Sequence, residues 1–395
     1  MQNKLSIEDL DLAGERVLVR VDFNVPLTDK KVRDDTRIKA ALPTIKYLTA
    51  HGAKVILASH LGRPGGKHCE DLKMNPVAKS LSKLLEKPVE KLDSITGDEV
   101  IQAVKKMKEG DILLLENLRF VNGEEENDPH FAQQLAELAD LYVNDAFGTA
   151  HRAHASTVGV ASHIPAVAGL LMKKEIEILS ACLDNPKRPM TVILGGAKVS
   201  DKINVIKKFL SLADNLLIGG GMANTFLVAS GYDMGSSFYE ENQVDTAREL
   251  IAAAGKSNCT IYLPQDLVVT EELKAGSIVE TVSLQNLEKR WKAADIGPET
   301  ARIFGSVIAQ SALVVWNGPL GVFEIAPFNA GTEAVAKAIA AAQAYSVIGG
   351  GDLVAALESL NLSGKMSFIS TGGGATLEFW EGSILPGIAA LKDRP

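Results

Sequence analysis

Short apolar runs alternate with longer helical patterns along nearly the whole chain. The runs over residues 16–21 and 54–58 are rich in branched aliphatic side chains, which is typical of strands buried on both faces of a parallel sheet. Between them, the apolar residues of 37–51 recur at the spacing of a helix that packs on such a sheet. The same pattern predicts further strands over 112–115, 141–143, 191–194, 215–218, 260–263, 313–316, 346–348 and 367–370.

These strands and helices fall into two series, which predict two domains. A chain of 395 residues is too long for one ordinary hydrophobic core. Residues 172–185 carry a helical apolar stripe that stops at the sequence DNPKRP, so this helix is expected to connect the domains. The prediction is an α/β protein of two doubly wound parallel-sheet (Rossmann-like) domains, 1–171 and 186–376, joined by a helical hinge over 172–185.

Composition limits the classes of molecule that the protein is expected to bind. The formal net charge of −8 argues against attraction of the whole surface to nucleic acid or an anionic membrane, since both need a basic field. Any phosphate binding is therefore expected to be local. The three cysteines form no CxxC pair, the N-terminus lacks the apolar core of a signal peptide, and the alanine-rich stretch over 334–344 is too short to span a bilayer. These features favour a soluble cytoplasmic protein.

Basic and polar residues follow the predicted strands of the first domain. In open α/β sheets ligands bind outside the carboxyl ends of the strands, so residues at these positions are candidates for chemistry. Guanidinium and imidazole groups at several strand ends suit a small ligand with several negative oxygens. One such arginine is more often a solvated surface charge, but four at matching positions favour a site. The candidates are Asp22, Phe23, Asn24, Arg37, His60, Gly62, Arg63, Arg119 and Arg152.

The predicted strands of the second domain are followed by glycine instead. Glycine lets the backbone approach a ligand and leaves N–H groups at the following helix N-termini facing a phosphate or a base. One such cluster is more often a tight turn, whereas five in one sheet indicate a nucleotide. The sequence matches neither the P-loop pattern GxxxxGK[ST] nor the dinucleotide pattern GxGxxG. The clusters are 195–196, 219–221, Gly318, 349–351 and 372–374.

Charged residues accompany these glycines. Lys198 and Lys202 are one helical turn apart, so a helix that begins there would carry both ammonium groups on one face and could hold a phosphate chain. Asp352 follows a glycine triplet and is the best single carboxylate for Mg²⁺, although it could equally cap a helix. The acidic run over 124–128 is expected to be a solvated loop.

Taken together, these segments closely resemble the phosphoglycerate kinase family over essentially the whole chain. The matching blocks, in order, are VLVRVDFNVPL, SHLGRP, LLLENLRFVNGEEEND, YVNDAFGTAHRAHAST, LMKKE, ILGGAKVSDKI, GGGMANTFL, VVWNGPLGVFE, GGGD and STGGGATLEFWEG. The resemblance implies a reversible, Mg²⁺-dependent phosphoryl transfer from 1,3-bisphosphoglycerate to ADP, which gives 3-phosphoglycerate and ATP in glycolysis. It also implies a monomer and a C-terminal segment, 377–395, that packs back on the first domain.

The resemblance implies a role for each candidate in the first domain. The residues implied to contact the glycerate are Asp22, the Phe23 backbone, Asn24, His60 and Gly62. The residues implied to hold its 3-phosphate are Arg63, Arg119 and Arg152. Arg37 is implied to reach the reacting carboxyl group.

Roles in the second domain follow from the same resemblance. Lys198 is implied at the transferred phosphoryl group, Lys202 at the nucleotide phosphates and Glu324 at the ribose. Asp352 would coordinate Mg²⁺ beside the backbone of Gly350 and Gly351. The remaining glycines are Gly219, Gly220 and Gly221 at the adenine, and Gly372, Gly373 and Gly374 at the phosphoryl group in flight. The family usually has Thr or Ser where this chain has Leu353, so a hydroxyl contact with the phosphates is missing there.

Two other classes of two-domain protein fit the sequence less well. A non-catalytic two-lobed sugar-phosphate-binding protein would carry an export signal and no lysine pair, and an NAD-dependent dehydrogenase requires the absent GxGxxG pattern. A kinase whose acceptor is a carboxylate needs no general base, because that group is already ionised at neutral pH. Since the two ligands belong to different domains and the acyl phosphate is labile, the domains are expected to close about the 172–185 helix.

Overall fold

The structure is a computed structural model that describes residues 3–394. It divides into two compact units, the first made of residues up to Ile178 together with those from Ile384 onward, and the second of Leu179–Ser383. The C-terminal return to the first unit therefore begins at Ile384, whereas the family resemblance implied a start near 377. Backbone hydrogen bonds hold this segment in place, from Leu5 N to Lys392 O (2.9 Å) and from Gly387 N to Ala150 O (2.8 Å).

Every strand predicted from the sequence is present, with ends that differ by one residue at most. The strands are β1 (Arg16–Arg20), β2 (Leu27–Thr28), β3 (Lys31–Val32), β4 (Lys54–Ala58), β5 (Glu90–Lys91), β6 (Ile112–Leu114), β7 (Leu141–Asn144), β8 (Ala166–Ala168), β9 (Met190–Leu194), β10 (Asn215–Ile218), β11 (Thr260–Tyr262), β12 (Asp266–Thr270), β13 (Glu280–Ser283), β14 (Lys292–Ile296), β15 (Leu313–Asn317), β16 (Tyr345–Gly349) and β17 (Phe368–Ile369).

Helices connect these strands. They are α1 (Thr36–Ala50), α2 (Asn75–Leu85), α3 (Asp98–Lys106), α4 (Asn122–Glu125), α5 (Pro129–Ala136), α6 (Leu170–Asp184), α7 (Ile203–Leu210), α8 (Gly220–Ala229), α9 (Val244–Ala254), α10 (Pro298–Ala309), α11 (Ala330–Ala341), α12 (Gly351–Ser359), α13 (Gly374–Trp380) and α14 (Pro386–Ala389).

The first unit is built on a parallel sheet in the order β5-β6-β4-β1-β7-β8. Its central strands β1 and β4 are buried after their first residues, Arg16 and Lys54, with Val17, Val19 and Val55 fully inaccessible, as the unbroken apolar runs require. From β1 the chain moves first to β4 on one side and later to β7 on the other. The carboxyl ends of these three strands therefore lie side by side at the point where the winding reverses, where a ligand is expected.

The second unit contains a parallel sheet in the order β11-β10-β9-β15-β16-β17. The chain moves outward from β9 in one direction and then from β15 in the other, so the predicted doubly wound topology is confirmed for both units. A separate antiparallel sheet, β13-β12-β14, was not predicted. Its central strand β12 is largely buried, whereas β13 is partly exposed with one apolar residue, and the sheet packs on a small cluster around Leu267 and Trp291.

Helix α6 spans the boundary between the units and begins at Leu170, two residues before the predicted start of the connecting helix. The carboxylate of the buried Asp145, which follows β7, accepts hydrogen bonds from the N–H groups of Leu171 (2.9 Å) and Met172 (3.2 Å). The hydroxyl of Thr44 accepts from Leu170 N at 2.9 Å. Burial raises the pKa of Asp145 to about 7, against these hydrogen bonds. The strand that ends at the candidate site thus anchors the start of α6.

Candidate active sites in the two units

Four arginines surround a buried histidine in the first unit. His60 follows β4 and is only 4% exposed. Burial lowers its pKa well below the ordinary value, and the positive charges that lower it further are those of Arg20, Arg119, Arg37 and Arg152. These groups come from four separate segments of the chain. We call His60 and these four arginines the basic cluster.

Hydrogen bonds join the loops that carry the basic cluster. Arg37, in the first turn of α1, forms an ion pair with Asp22 (2.8 Å), which follows β1. The Asn24 side chain accepts from Gly62 N at 2.9 Å, and Arg119 donates to Gly62 O at 2.8 Å. The loops after β1, β4 and β6 therefore hold one another, and the predicted residues at these strand ends are brought together.

The Arg119 side chain is 3% exposed and lies within a 3-10 turn that the Asn117 side chain caps. Its Nε lies 3.1 Å from a carboxylate oxygen of Glu125. Burial lowers the pKa of Arg119, and the charge of Glu125 opposes that shift. Because the guanidinium is held on both sides, it presents a fixed donor geometry to an anion.

Three other residues predicted for this site differ in their exposure and hydrogen bonding. Arg152 is half-buried and donates from Nε to His151 Nε2 at 3.1 Å. Arg63 is exposed on the loop after β4. The backbone groups of Phe23 are engaged inside the protein, since its N–H donates to Ser59 Oγ (2.9 Å) and its carbonyl accepts from Val25 N.

The prediction that 124–128 is a solvated loop is wrong. Glu124 is fully buried and accepts from both the N–H (3.0 Å) and the hydroxyl (2.6 Å) of Ser156. Burial raises the pKa of Glu124, and the charge of Arg20 opposes this. Asp128 caps α5 by accepting from Phe131 N at 2.7 Å. A run of acidic letters cannot show which of its members has a buried partner.

Arg20 is the member of the basic cluster that the sequence analysis missed. It is the last residue of β1 and is 1% exposed. Its guanidinium contacts Ser156 and His60 and the carbonyl of Val21. The sequence did contain a signal for Arg20, because a charged residue within an apolar run that is predicted to be buried needs a partner for its charge.

An open cleft of about 680 Å³ lies within the second unit. Apolar side chains form most of its lining, with Phe238, Leu273 and Val322 among them. The predicted residues that line it are Gly220, Gly221, Glu324 and Asp352. Asn224, Phe238 and Lys292 also line it and were not predicted, because they belong to a helix interior, a loop and the unpredicted antiparallel sheet.

Glycine clusters precede three helices of this unit, as expected for backbone N–H groups that face an anion. Helices α8, α12 and α13 begin at Gly220, Gly351 and Gly374. Asp352 is exposed in the first turn of α12, and the N-cap position belongs to Gly350, so Asp352 does not cap this helix. The Leu353 side chain is buried in the core, so it faces away from the cleft.

The remaining glycines serve the backbone geometry. Gly219 is the N-cap of α8 and packs against Leu320. Gly372 is buried and donates its N–H to Ser370 Oγ at 3.1 Å. Gly373 has a φ of +56° and is the N-cap of α13. The turn before α13 therefore depends on a conformation that glycine adopts without strain.

The two predicted lysines do not share a helix face, so that prediction is wrong. Lys198 is exposed and precedes a 3-10 turn over Ser200–Lys202, and α7 begins only at Ile203. The Lys202 side chain is buried, and its ammonium donates to the carbonyls of Gly195 and Asn317 at the ends of β9 and β15. The helix starts later than predicted because the 3-10 turn comes first.

The charges of the two lysines are set by different surroundings. Burial lowers the pKa of Lys202 to about 8, and the charges of Asp201 and Asp352 oppose this. Burial alone would raise the pKa of Glu240. Hydrogen bonds from Ser200 and the charge of Lys198 outweigh burial and lower the pKa of this carboxyl group. Lys202 is thus held by two backbone carbonyls beside the glycine turn, whereas Lys198 is exposed.

We predict that Gly220→Ala destabilises the second unit. Gly220 has a φ of +67°, and an added Cβ would lie 2.7 Å from the backbone of Gly196. We expect a loss of at least about 2 kcal/mol in the free energy of unfolding, measured by denaturant titration. Gly351→Ala is the matched control, because its Cβ would enter open space at the start of α12, and it should change stability by less than about 1 kcal/mol. Equal effects of the two substitutions would contradict this reading.

No helix within residues 3–394 is long and apolar enough to cross a membrane. The family model described as phosphoglycerate kinase matches residues 7–383. A phosphoglycerate kinase of Moorella thermoacetica is 56% identical over 391 residues, which cover 99% of this chain and 100% of that protein. The solved structure of the enzyme from Coxiella burnetii superposes with a TM-score of 0.89 at 43% identity, covering 98% of each chain. The one from Pyrococcus horikoshii OT3 gives 0.85 at 36% identity, again over 98% of each. The chain therefore belongs to the phosphoglycerate kinase family.

Proposed function

We propose that the basic cluster binds the phosphoglycerate of the phosphoglycerate kinase reaction and that the cleft of the second unit binds its adenine nucleotide. The observation that carries this assignment is the convergence of four guanidinium groups on His60 in a protein of net negative charge. A substrate with a phosphate and a carboxyl group matches that field, whereas the largely apolar cleft suits a base and ribose.

We assign the 3-phosphate to Arg119 and Arg152 of the basic cluster, together with the exposed Arg63 on the loop after β4, and the reacting carboxyl group to Arg37. The fixed geometry of Arg119 favours recognition of one phosphate position. The Arg37 side chain is 39% exposed, so it can exchange its ion pair with Asp22 for the substrate. Asp22, Asn24, His60 and Gly62 complete the proposed glycerate site. The Phe23 backbone, which the resemblance also implied there, is engaged inside the protein instead.

In the cleft, the glycines at the start of α8 allow the base to approach the backbone, and Glu324 is placed to accept hydrogen bonds from the ribose hydroxyls. The N-terminus of α12, with Gly350 and Gly351, lies at the phosphate end together with Lys202. The two carbonyl partners of Lys202 make its ammonium a positioned donor.

Asp352 fits a Mg²⁺ site. Its carboxylate is exposed in the wall of the cleft and is not used as a helix cap, and Mg²⁺ commonly binds through one or two carboxylates and nucleotide phosphates. Bound Mg²⁺ would neutralise part of the charge on the nucleotide phosphates. Its removal with a chelator should abolish turnover while 3-phosphoglycerate binding persists.

The transfer itself needs no acid or base. An oxygen of the ADP β-phosphate forms a bond to the acyl phosphorus, the bond from that phosphorus to the carboxyl oxygen breaks, and the carboxylate leaves with the electron pair. Charge then shifts from the nucleotide to the leaving carboxylate, which Arg37 can stabilise. Lys198 and the N–H groups of Gly373 and Gly374 would stabilise the phosphoryl group as it moves, whereas the N–H of Gly372 is already donated to Ser370 Oγ. A coupled assay of ATP formation from ADP and 1,3-bisphosphoglycerate tests this function, and binding without turnover would contradict it.

We predict that Lys198→Ala lowers kcat about 100-fold or more and leaves the affinity for 3-phosphoglycerate nearly unchanged. The exposed ammonium would act on the phosphoryl group only during transfer, and loss of one such donor costs about 3 kcal/mol of transition-state stabilisation. Lys207→Ala, on the exposed face of the neighbouring α7, is the control and should retain full activity. An unchanged kcat in Lys198→Ala would remove this lysine from catalysis.

Since we assign the two ligands to different units, we further propose that the units close about α6 during transfer, which would also exclude water from the acyl phosphate. Small-angle scattering with 3-phosphoglycerate and MgADP together should show a smaller radius of gyration than either ligand alone. Identical scattering profiles under all conditions would contradict closure.

We also propose that the chain acts as a monomer in the cytoplasm, where a glycolytic reaction operates. Its three cysteines are thiols, which suits a reducing compartment. Sedimentation equilibrium should give the mass of one chain, 42.1 kDa, and a concentration-independent larger mass would overturn the monomer.

A further inference from the structure

Arg20 and His60 form a buried hydrogen-bonded pair at the edge of the proposed phosphoglycerate site. Arg20 is 1% exposed and His60 is 4% exposed. The Nη2 atom of Arg20 lies 3.1 Å from the Nδ1 atom of His60. The hydrogen bond between these two side chains therefore lies in the protein interior, although both residue types commonly bind ligands directly.

The chemistry of the two side chains fixes the direction of this bond. A guanidinium group has only donors and stays protonated in proteins. The Nδ1 atom of His60 must therefore be the acceptor, so it carries no proton. A neutral imidazole has one proton, which then resides on Nε2.

The rest of the Arg20 guanidinium is held so that it cannot turn away. Its Nε donates to Ser156 Oγ at 2.8 Å, and its Nη1 donates to the carbonyl of Val21. The Ser156 hydroxyl donates a hydrogen bond to a carboxylate oxygen of Glu124 at 2.6 Å. This fully buried carboxylate provides the opposite charge in the network. The network thus compensates the charge of Arg20 without placing a carboxylate on His60.

The surroundings also keep His60 neutral. Burial and the charges of all four arginines disfavour a positive imidazolium, and their combined effect holds the pKa of His60 well below its ordinary value. The Nε2–H group of His60 is therefore a neutral donor in a site whose other side-chain donors are cationic.

We infer that Arg20 is a positioning residue that fixes His60 as the Nε2–H tautomer, so that His60 offers an uncharged hydrogen-bond donor to an oxygen of the phosphoglycerate. This inference rests on the proposed function of the basic cluster. A neutral donor adds directional recognition of a hydroxyl or carboxyl oxygen without adding to the repulsion among the arginines.

The direct test is nitrogen NMR of the histidine rings in the full chain labelled with ¹⁵N-histidine. His60→Gln identifies the His60 resonances by their disappearance. We expect one protonated and one unprotonated ring nitrogen in the pattern of the Nε2–H tautomer, unchanged from about pH 8 to about pH 5.5, across the ordinary range of histidine titration. A protonated Nδ1, or conversion to imidazolium within this range, would overturn the inference.

Variants test the role of Arg20. In Arg20→Gln the fixed donor and its charge are lost, so His60 should show mixed tautomers and the KM for 3-phosphoglycerate should rise by about tenfold, with a smaller change in kcat. Arg20→Lys keeps the charge and a donor and should restore part of both signals. MgADP affinity, measured on each variant, reports whether the second unit is intact. If Arg20→Gln does not fold, the spectrum of the unaltered protein still decides the tautomer.

Addition of 3-phosphoglycerate separates this inference from the function on which it rests. We expect the Nε2 resonance of His60 to shift on saturation, while Nδ1 remains unprotonated. The expected tautomer without any shift would remove His60 from the substrate site and with it the donor role inferred here. The opposite tautomer together with a shift would leave the substrate site standing and overturn the role of Arg20.

Discussion

Repulsion among like charges is the constraint on which the first unit depends. Several guanidinium groups converge on one end of a parallel sheet, and each would raise the energy of the others without compensation. The structure supplies a separate partner for three of them. Arg37 pairs with Asp22, Arg119 with Glu125, and Arg20 connects through Ser156 to Glu124. A neutral histidine at the centre keeps the site rich in donors with one positive charge fewer.

The proposed nucleotide site of the second unit depends less on side-chain charge. Glycine precedes helices α8 and α12, and the buried ammonium of Lys202 donates to carbonyls at the ends of two strands. Backbone dipoles need no counter-charge, which is compatible with the largely apolar cleft of this unit. Under the proposed assignment, two similar sheets would serve two kinds of recognition, one through side-chain charge and one through backbone geometry.

Much of this could be predicted from the sequence, because strands buried on both faces leave unbroken apolar runs and their carboxyl ends are the expected positions of ligands. The antiparallel strand Glu280–Ser283 was missed because it is partly exposed, and Lys292–Ile296 because Asp295 interrupts its apolar residues, whereas Asp266–Thr270 was missed despite its buried apolar run. The start of α7 was misplaced because glycine marks a turn but not the kind of helix that follows. The burial of Glu124 and of Arg20 was not predicted for a common reason. A buried ion network brings together residues that are distant in the sequence, so the sequence does not show which residue is the partner of either.

We assign the two substrates to separate units, which would bind them by these different means. Titration calorimetry of 3-phosphoglycerate and of MgADP, each into the unaltered protein and into Arg119→Ala, distinguishes this assignment from a shared site. We expect the affinity for 3-phosphoglycerate to fall at least about tenfold, as loss of a charge-assisted contact requires, while the affinity for MgADP stays within about twofold. A parallel loss for both ligands, or a loss confined to MgADP, would contradict it.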